Sequence, residues 1–470
     1  MRGIISAAAY VPYWRLERSA IAAFHGGRGA GVRSVASYDE DTTTLAVEAG
    51  RLALRAAAGV EPETLWFATS NPTYAEKTNA TIAHAALRLP ASTAAFDATG
   101  AVRSGVGTIR AAVRSGEDAV LVTAADIRTG PANSPDEAGG GDAGVALLIG
   151  SDRAGNGTSG VVIAEYLGGA SATREFLDRW RAPGDTRIKG WEERFGETQY
   201  TALGVQAFTA ALLETGLDAD GIDAILVAGP HARANNAVAK KLGKPNAVDH
   251  SATIGNAGAA DAALQLVEWL EQAAPAQTVA LVSLADGADV LVFRTTEAIS
   301  GFTPARSLRS QIEAGNTALA YNKFLAWRGT LVPNPPNRPE PARASASAAG
   351  RSYDWKFGFV GSKDRESGAV HMPPARVSFD GGNVDDMEPW PMADAQGTIV
   401  TFTIDRLVYS PSPPVIFAVV DFDGGGRLPV EVCDVVPEGI AVGDRVEMTF
   451  RRLNSSDGIS NYFWKARPVR

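Results

Sequence analysis

Cysteine is nearly absent from this chain, which has Cys433 alone among its 470 residues. A lone cysteine excludes an intrachain disulfide framework and any metal site made of several cysteines. Runs of basic residues are missing too, and the formal net charge is -9. Without a basic patch interleaved with aromatic residues, a nucleic acid is not an expected partner.

Long apolar runs are also missing. No uninterrupted run approaches the roughly 18 residues that a membrane-spanning helix needs. The N-terminal segment is apolar only briefly before Pro12 and Arg15, which is more typical of a first strand than of a signal peptide. We therefore expect a cytoplasmic protein with no membrane span. The hydrophobic fraction of 45% and the charged fraction of 21% are typical of a globular protein, and the length predicts two or three domains.

The most informative stretch covers residues 96–107. A strand-like run ends at Asp97, passes through a Thr-Gly turn and enters residues 102–113, whose small and apolar side chains are typical of a buried helix. Such a helix start favours negative charge, and catalysts built in this way usually carry a nucleophile there. Here the position holds Val102, which cannot attack a substrate.

The same layout occurs again at residues 248–264. The flanking segments repeat in the same order, with residues 65–70 matching 225–229 and residues 119–126 matching 279–286. Three matched segments in one order predict an internal duplication of a βαβ-type unit.

The pattern along the chain predicts four regions. Alternating strands and helices fill residues 1–158 and 159–300, which we assign to the two duplicated halves. Residues 301–352 hold a helical stretch over 307–328, followed by a Pro-rich and then Ala-rich linker. Residues 353–470 contain five strand-like segments with turn signals, which predict a small closed barrel.

Local motifs add a family resemblance to this outline. In the first part they are Tyr38-Asp-Glu-Asp-Thr-Thr-Thr44, Tyr74-Ala-Glu-Lys77, Arg194-Phe-Gly-Glu-Thr-Gln-Tyr200, Pro230-His231 and Ala239-Lys-Lys-Leu-Gly243. In the second part they are Tyr353-Asp-Trp-Lys356, Gly368-Ala-Val-His-Met-Pro-Pro374 and residues 441–452. Together with the duplication and the barrel, they resemble the thiolase superfamily, specifically archaeal-type hydroxymethylglutaryl-CoA synthases fused to the OB-fold domain that accompanies thiolases. The resemblance implies a five-layered α/β thiolase fold of two duplicated halves, followed by a C-terminal OB-fold β-barrel.

The resemblance carries the catalytic positions of the family onto this chain. The nucleophilic cysteine corresponds to Val102, and the acid–base glutamate corresponds to Ser70. His231 matches the family histidine, and Asn256 matches the family asparagine. Because an acyl-enzyme needs a thiolate, condensation by the synthase route is not expected.

The retained pair suggests another reaction. By resemblance, His231 and Asn256 donate hydrogen bonds to a thioester oxygen where an enolate develops. Cleavage of a β-hydroxyacyl-CoA passes through the same enolate and needs a base for the β-hydroxyl, but no covalent nucleophile. We therefore predict a CoA-thioester aldolase or lyase of lipid or steroid-type catabolism, with Tyr74 or Tyr200 as the base.

Coenzyme A is expected as part of the acyl-CoA substrate, and no permanently bound cofactor is expected. Lys240 and Lys241 are candidates for contact with the CoA phosphates. The resemblance also implies a homodimer across the strand that holds Phe96, and it leaves open a hydratase or thiolase partner.

The OB-fold domains of this family usually begin with a zinc ribbon. The four ligand positions fall here on Asp364, Ser367, Ser378 and Gly381. None is cysteine, whereas structural zinc is bound mostly by cysteine and histidine. We therefore expect a degenerate ribbon that persists as a metal-free loop.

Each site residue also has a structural interpretation. His231 could be a structural histidine after a strand, and Asn256 could stabilise a glycine-rich turn. The tyrosines could be packing or wall residues, and a lysine pair on a helix is often a solvated face. Two other functions therefore stay open: a non-catalytic scaffold subunit, and an acyltransferase that acts without an acyl-enzyme.

Overall fold

The computed structural model describes residues 1–152, 160–334 and 336–470. The chain divides into two compact units. The first comprises Met1–Ala36, Leu45–Thr81 and Pro90–Tyr321, and the second comprises Ser37–Thr44, Ile82–Leu89 and Asn322–Arg470. The predicted boundary between the duplicated halves, at residues 158 and 159, lies outside the described residues, as does residue 335 of the predicted linker.

Alternating strands and helices run from the N-terminus to residue 313. The strands are β1 (Arg2–Tyr10), β2 (Trp14–Glu17), β3 (Val32–Val35), β4 (Thr64–Thr69), β5 (Ala94–Thr99), β6 (Ala119–Asp126), β7 (Ala143–Ser151), β8 (Ala164–Ala172), β9 (Arg179–Trp180), β10 (Lys189–Gly190), β11 (Ala224–Ala228), β12 (Thr278–Leu284) and β13 (Ala288–Thr295). The helices are α1 (Arg18–Phe24), α2 (Thr42–Ala56), α3 (Ala80–Ala86), α4 (Ser104–Arg114), α5 (Pro135–Gly139), α6 (Glu193–Thr215), α7 (Ala232–Lys241), α8 (Asp261–Leu270) and α9 (Leu308–Glu313). Short 3-10 helices cover Gly258–Ala260 and Glu297–Gly301.

Within the described residues, nine of these strands form one mixed sheet in the order β11-β12-β13-β8-β1-β7-β6-β4-β5. In the first half, β4 is parallel to β6, whereas β6 with β7 and β7 with β1 are antiparallel. The second half repeats this pattern, because β11 is parallel to β12, whereas β12 with β13 and β13 with β8 are antiparallel. The repeated order and direction confirm the predicted duplication.

Two apolar helices, α4 and α8, share one core with both halves of the sheet. Leu226 of β11 and Leu281 of β12 belong to this core, whereas their neighbours Ile225 and Val282 belong to a second core with α6 and α7. The sheet is therefore buried on both faces, and each such side chain contributes about 1.5–3 kcal/mol by burial. The two helices pack closely, because a Cβ atom on Gly105 of α4 would lie only 1.9 Å from the carbonyl oxygen of Ala259, which lies two residues before α8. A residue larger than glycine does not fit at this position.

The predicted helix over residues 307–328 is instead two helices, α9 and α10 (Tyr321–Trp327). The backbone between them pairs with the β2 segment, where Arg15 N donates to Asn316 O over 2.8 Å. Because the backbone groups of Asn316 bond to the β2 segment, they are not available for the hydrogen bonds of a continuous helix. One helix therefore ends before Asn316 and another begins after it. The helical pattern was correct at both ends, but its continuity was wrong.

The remaining elements belong to the second unit. They are α11 (Ala346–Arg351), α12 (Tyr353–Lys356), β14 (Val360–Asp364), β15 (Val370–His371), β16 (Met387–Pro391), β17 (Gln396–Asp405), β18 (Val415–Phe422), β19 (Arg427–Val432), β20 (Arg445–Ser456) and β21 (Ile459–Pro468). In the described residues, five strands close a barrel in the order β17-β18-β19-β21-β20, which confirms the predicted barrel.

Five buried charged side chains of the second unit form a group that we call the barrel charge cluster: Asp39, Glu40, Asp434, Arg451 and Lys465. The guanidinium of Arg451 lies 2.9 Å from the Glu40 carboxylate and 2.6 Å from the Asp434 carboxylate. Lys465 Nζ lies 3.0 Å from the Asp39 carboxylate. Burial alone would raise the pKa of Asp39, but the Lys465 and Arg451 charges outweigh burial and hold that pKa at about 2. The acidic motif at residues 38–44 therefore neutralises cations of the barrel strands.

Three of the four predicted ribbon positions lie together. The Asp364 carboxylate accepts hydrogen bonds from Ser367 Oγ at 2.8 Å and from Asn383 Nδ2 at 3.1 Å. A hydrogen bond from Ser378 and another from the Glu366 backbone hold the pKa of Asp364 below its usual range. Among the described residues, no group of three or more His, Cys, Asp or Glu side chains has the geometry of a metal site. The degenerate ribbon stays a prediction.

Candidate active site

Val102 lies in the turn between β5 and α4, as the sequence pattern predicts. Gly100 in this turn has a φ of +99°, a conformation that favours glycine. The turn borders a cavity of about 450 Å³, which we call the smaller cavity. Val102, Ser70 and Tyr200 are part of its wall. The two positions that the resemblance assigns to a nucleophile and an acid–base group therefore line one cavity, and neither a valine nor a serine side chain supplies the chemistry of a cysteine or a glutamate.

A larger cavity of about 640 Å³ lies beside it, and the two cavities share Arg128, Arg179 and Pro230 in their walls. The larger cavity is also lined by Asn256, Asp261 and His250, together with Arg18 and Arg233. A two-part site of this size can hold a small extended ligand.

Two cations, Arg128 and Arg179, line both cavities. Arg179 is paired with Asp136 at 3.1 Å and with Asp178 at 2.9 Å, so Arg128 is the better candidate for binding a ligand.

Arg128 is buried, with a side-chain exposure of 6%, and its Nη1 lies 3.3 Å from Ser70 Oγ and 3.7 Å from the Asp126 carboxylate. Within the described part of the chain, these two groups are the direct polar contacts of its guanidinium, and the Asp261 carboxylate interacts with it electrostatically. Because a guanidinium carries five N–H donors, Arg128 has donors left for a ligand.

Two buried carboxylates hold this region in place. Asp142 accepts from the backbone N of Arg128 at 2.9 Å and forms an ion pair with Arg33 at 3.2 Å. Asp126 accepts from Ser70 Oγ at 2.7 Å and from Ala259 N at 2.8 Å. The backbone of Arg128 and the hydroxyl of Ser70 are thus both fixed by charge-assisted hydrogen bonds.

His231 begins α7 and is almost fully buried. Its Nε2 lies 2.9 Å from Glu193 O, and its Nδ1 accepts from Ala234 N at 3.2 Å. A carbonyl oxygen only accepts, so Nε2 carries the proton and the ring is neutral in this arrangement. His231 is not part of the described wall of either cavity. In this conformation Nε2 joins α7 to α6 and Nδ1 caps the start of α7. The proposed bond to a thioester would require Nε2–H to leave Glu193 O.

Asn256 does line the larger cavity, yet its amide is also engaged. Its Nδ2 donates to Gly229 O and to the Asp261 carboxylate, each at 2.9 Å. Its Oδ1 accepts from Gly258 N at 3.1 Å. These bonds stabilise the glycine-rich turn before α8, and a catalytic role for Asn256 stays a prediction.

The two candidate tyrosines occupy different environments. Tyr200 lies in the wall of the smaller cavity, and its hydroxyl accepts from Asp286 N at 3.3 Å. Burial raises the pKa of Tyr200 further above its ordinary value, which weakens it as a base near neutral pH. Tyr74 is half-buried and is absent from the described wall of both cavities.

Lys240 and Lys241 are exposed in the last turn of α7 and do not line the described cavities. The larger cavity instead has the cations Arg18 and Arg233. Arg18 Nε and Nη2 are shielded from solvent and have no hydrogen-bond partner among the residues that the structure describes, so they have donors for an anionic group of a ligand.

Sequence reasoning missed Arg128 and His250. Arg128 follows β6 by one residue, and parallel strands direct such side chains to one edge of the sheet, so its position was a usable signal. His250 lies inside the second copy of the repeated segment. Its partner Glu268 is 18 residues away, and nothing in the sequence indicates that pairing.

Comparison with known proteins agrees with this architecture. Residues 390–451 match the family described as the ChsH2 C-terminal OB-fold domain. The chain is 28% identical over 350 residues to the hydroxymethylglutaryl-CoA synthase of Methanopyrus kandleri, covering 70% of this chain and 97% of that relative. The chain is 27% identical over 368 residues to the hydroxymethylglutaryl-CoA synthase of Methanosphaera stadtmanae, covering 71% of this chain and 100% of that relative.

Solved structures extend the likeness to the fold. A hydroxymethylglutaryl-CoA synthase complexed with CoA superposes with a TM-score of 0.59 at 17% identity, covering 69% of this chain and 89% of that chain. The 3-oxoacyl-(acyl carrier protein) synthase III of Pseudomonas aeruginosa superposes with a TM-score of 0.51 at 18% sequence identity, covering 63% of this chain and 98% of that chain. The predicted resemblance and the thiolase-type fold with an added OB-fold barrel are therefore confirmed. Among the described residues, no helix combines the length and apolarity needed to cross a membrane.

Proposed function

We propose that this protein is a CoA-thioester carbon–carbon lyase that stabilises a thioester enolate without forming an acyl-enzyme. The substrate class is a β-hydroxyacyl-CoA, and the products are a ketone or aldehyde and a shorter acyl-CoA. The names of the relatives, which are CoA-dependent synthases, support CoA-thioester chemistry of the condensing or acyl-transfer type. The match of residues 390–451 to the ChsH2 C-terminal OB-fold domain supports the fused barrel, and the place in lipid or steroid-type catabolism rests on the family resemblance alone.

The lack of a nucleophilic thiol supports lyase chemistry over synthase chemistry. Val102 replaces the cysteine in the wall of the smaller cavity. Cys433 belongs to the other unit, and burial raises the pKa of its thiol well above the ordinary value. A thiol in this state is not a nucleophile, so a covalent intermediate on sulfur is not expected.

Arg128 is the observation that carries the proposal. A buried cation with unused donors at the junction of two cavities can bind a thioester oxygen and stabilise the negative charge that develops there. With Ser70 beside it, the paired carboxylate of Arg128 is Asp126 at 3.7 Å, which is beyond hydrogen-bond distance and leaves donors of the guanidinium for a ligand. We assign the enolate oxygen to Arg128, with Asn256 and His231 as further candidates after rearrangement, and the CoA phosphates to Arg18 and Arg233.

The assembly we propose is a homodimer through β5. This strand is at one edge of the sheet, and its Phe96 side chain is 49% exposed. An exposed edge strand with an aromatic side chain is a surface on which a second copy can add. A hydratase or thiolase partner remains compatible with this arrangement.

The reaction is tested by product analysis of the purified chain with β-hydroxy-β-methylbutyryl-CoA and with longer β-hydroxyacyl-CoA thioesters. Lyase action shortens the acyl group and releases acetone from the first substrate. Acyl transfer to an added amine or alcohol would keep the acyl group intact. A scaffold subunit would leave every thioester unchanged, and either of these two results would overturn the lyase proposal.

A further inference from the structure

His250 is the histidine that lines the larger cavity. Its exposure is 5%. Its carbonyl oxygen accepts three backbone hydrogen bonds, from Thr253 N at 3.1 Å, Ile254 N at 3.0 Å and Gly255 N at 2.9 Å. This turn fixes the residue rigidly before α8.

The imidazole has one engaged nitrogen and one free nitrogen. Nε2 makes a short contact with the Glu268 carboxylate. The hydrogen bond from His250 lowers the pKa of Glu268, so that carboxylate is ionised near neutral pH and accepts a hydrogen bond from Nε2–H. Nδ1 is buried and has no hydrogen-bond partner in the described residues. When the ring is neutral, Nδ1 is therefore an unused proton acceptor.

This arrangement has the features of a catalytic dyad. A carboxylate that holds one nitrogen fixes the tautomer and leaves the other nitrogen as the base. A buried polar atom without a partner is costly, and a ligand hydroxyl that binds Nδ1 would remove that cost. Asn256 and Asp261 line the same cavity as His250, and Arg128 lies in its wall.

We infer that His250 is the base that accepts the β-hydroxyl proton of the substrate, with Glu268 as the residue that positions it. This inference rests on the proposed function. The O–H bond breaks as its proton moves to Nδ1, and the oxygen electron pair forms the carbonyl of the departing ketone. The Cα–Cβ bond breaks, and its electron pair forms the enolate at Arg128. The proton on Nδ1 then returns to Cα, which yields the shorter acyl-CoA and restores neutral His250.

His250 fits this task better than the tyrosines do. Histidine side chains in general have an ordinary pKa near 6.5, whereas tyrosine side chains have one near 10, and a base works best when its pKa is near the working pH. Besides Glu268, the buried Asp261 carboxylate interacts electrostatically with His250, and Glu271 interacts with Glu268.

The test compares wild type with His250→Ala, His250→Gln and Glu268→Gln, using acetone release from β-hydroxy-β-methylbutyryl-CoA. His250→Ala should lower kcat by about 10²- to 10⁴-fold with KM nearly unchanged. Added imidazole should restore part of the rate. Glu268→Gln should reduce kcat less and should shift the acidic limb of the pH profile. His25→Gln is the control, because His25 is exposed and lies outside the described walls of both cavities.

Two results separate this inference from the proposed function. If wild type cleaves the thioester and His250→Ala cleaves it equally well, the dyad is overturned and the lyase stands. If wild type cleaves nothing, the lyase is overturned, and nitrogen-15 spectra of His250 decide the dyad. The nitrogen-15 chemical shift of Nδ1 is recorded with each compound in turn. A change in this chemical shift on adding the hydroxy thioester, but not on adding β-methylbutyryl-CoA, would show that His250 binds the hydroxyl group. No shift with either compound overturns the dyad as well.

Discussion

Arg128 Nη1 lies 3.3 Å from the hydroxyl oxygen of Ser70, at the place where two cavities share a wall. By resemblance, Ser70 occupies the position of an acid–base carboxylate. A carboxylate there, in addition to Asp126 at 3.7 Å from Arg128, would take up more of the Arg128 donors, whereas a hydroxyl leaves donors for a ligand. Under the proposed function, Ser70 and Val102 together favour stabilisation of an anion over acyl transfer.

Arg128→Met should lower kcat for cleavage of the β-hydroxyacyl-CoA by about 10²- to 10³-fold, because it removes a fixed donor to the developing oxyanion. Steady-state kinetics measure this loss. Arg181→Met is the matched control in the smaller cavity, since Arg181 is already bonded to Asn71 and to Ser70 O. An equal loss in both variants would indicate a general disturbance of the cavity and would contradict the role of Arg128.

Val102→Cys should create a reactive thiol. The new side chain would lie just before α4, where the helix N-terminus stabilises a thiolate. Intact-mass measurements should find that iodoacetamide, and more slowly acetyl-CoA, modify the variant but not the wild type. A variant that reacts no faster than wild type would show that this turn does not present its side chain as the family cysteine is presented.

Arg451→Met should destabilise the second unit by about 3–5 kcal/mol, the usual cost of breaking a buried ion pair. The variant leaves the Glu40 and Asp434 carboxylates buried without their main cation. Chemical unfolding followed by tryptophan fluorescence gives the free energy of unfolding. Arg376→Met is the control, because the Arg376 and Asp385 pair is exposed and should contribute nothing measurable. Similar stability of both variants would rule out a structural role for the barrel charge cluster.

Glu271→Gln should flatten the pH dependence of stability. Burial raises the pKa of Glu271 from 4.5 to about 7. Because this pKa is higher in the folded state, the contribution of Glu271 is fully present below its unfolded value of 4.5 and is lost as the pH rises through about 7. Because the Glu271 side chain is partly exposed, solvent screening reduces the loss to about 1 kcal/mol. Urea unfolding at about pH 5 and about pH 8 should differ less for the variant than for wild type, and an unchanged difference would refute the assignment.

Phe96→Asp should convert the proposed dimer into a monomer, since it places a charge on the edge strand β5. Sedimentation velocity measures the change. Leu213→Asp replaces a side chain that is 80% exposed on α6, and it should leave the dimer intact. A wild-type protein that is already monomeric, or a Phe96 variant that stays dimeric, would remove β5 as the interface.

The sequence predicted what depends on local pattern. Apolar periodicity and turn residues located the strand before Val102, the buried helix after it, the repeat and the five barrel strands. It did not predict the break at Asn316, because that break depends on pairing with a segment 300 residues earlier. It also did not pair His250 with Glu268 or place Arg128 between two cavities, since these contacts exist only after the sheet has folded. His231 matched a motif, yet the motif did not show that its nitrogens bond to backbone atoms.

The most direct test of the central claim is thiol-independent cleavage. The chain is treated with iodoacetamide and incubated with β-hydroxy-β-methylbutyryl-CoA, and acetone and acetyl-CoA are quantified. We predict equal amounts of both products at the rate of untreated protein. Absence of both products, or a rate that falls with alkylation, would contradict a lyase that works without cysteine.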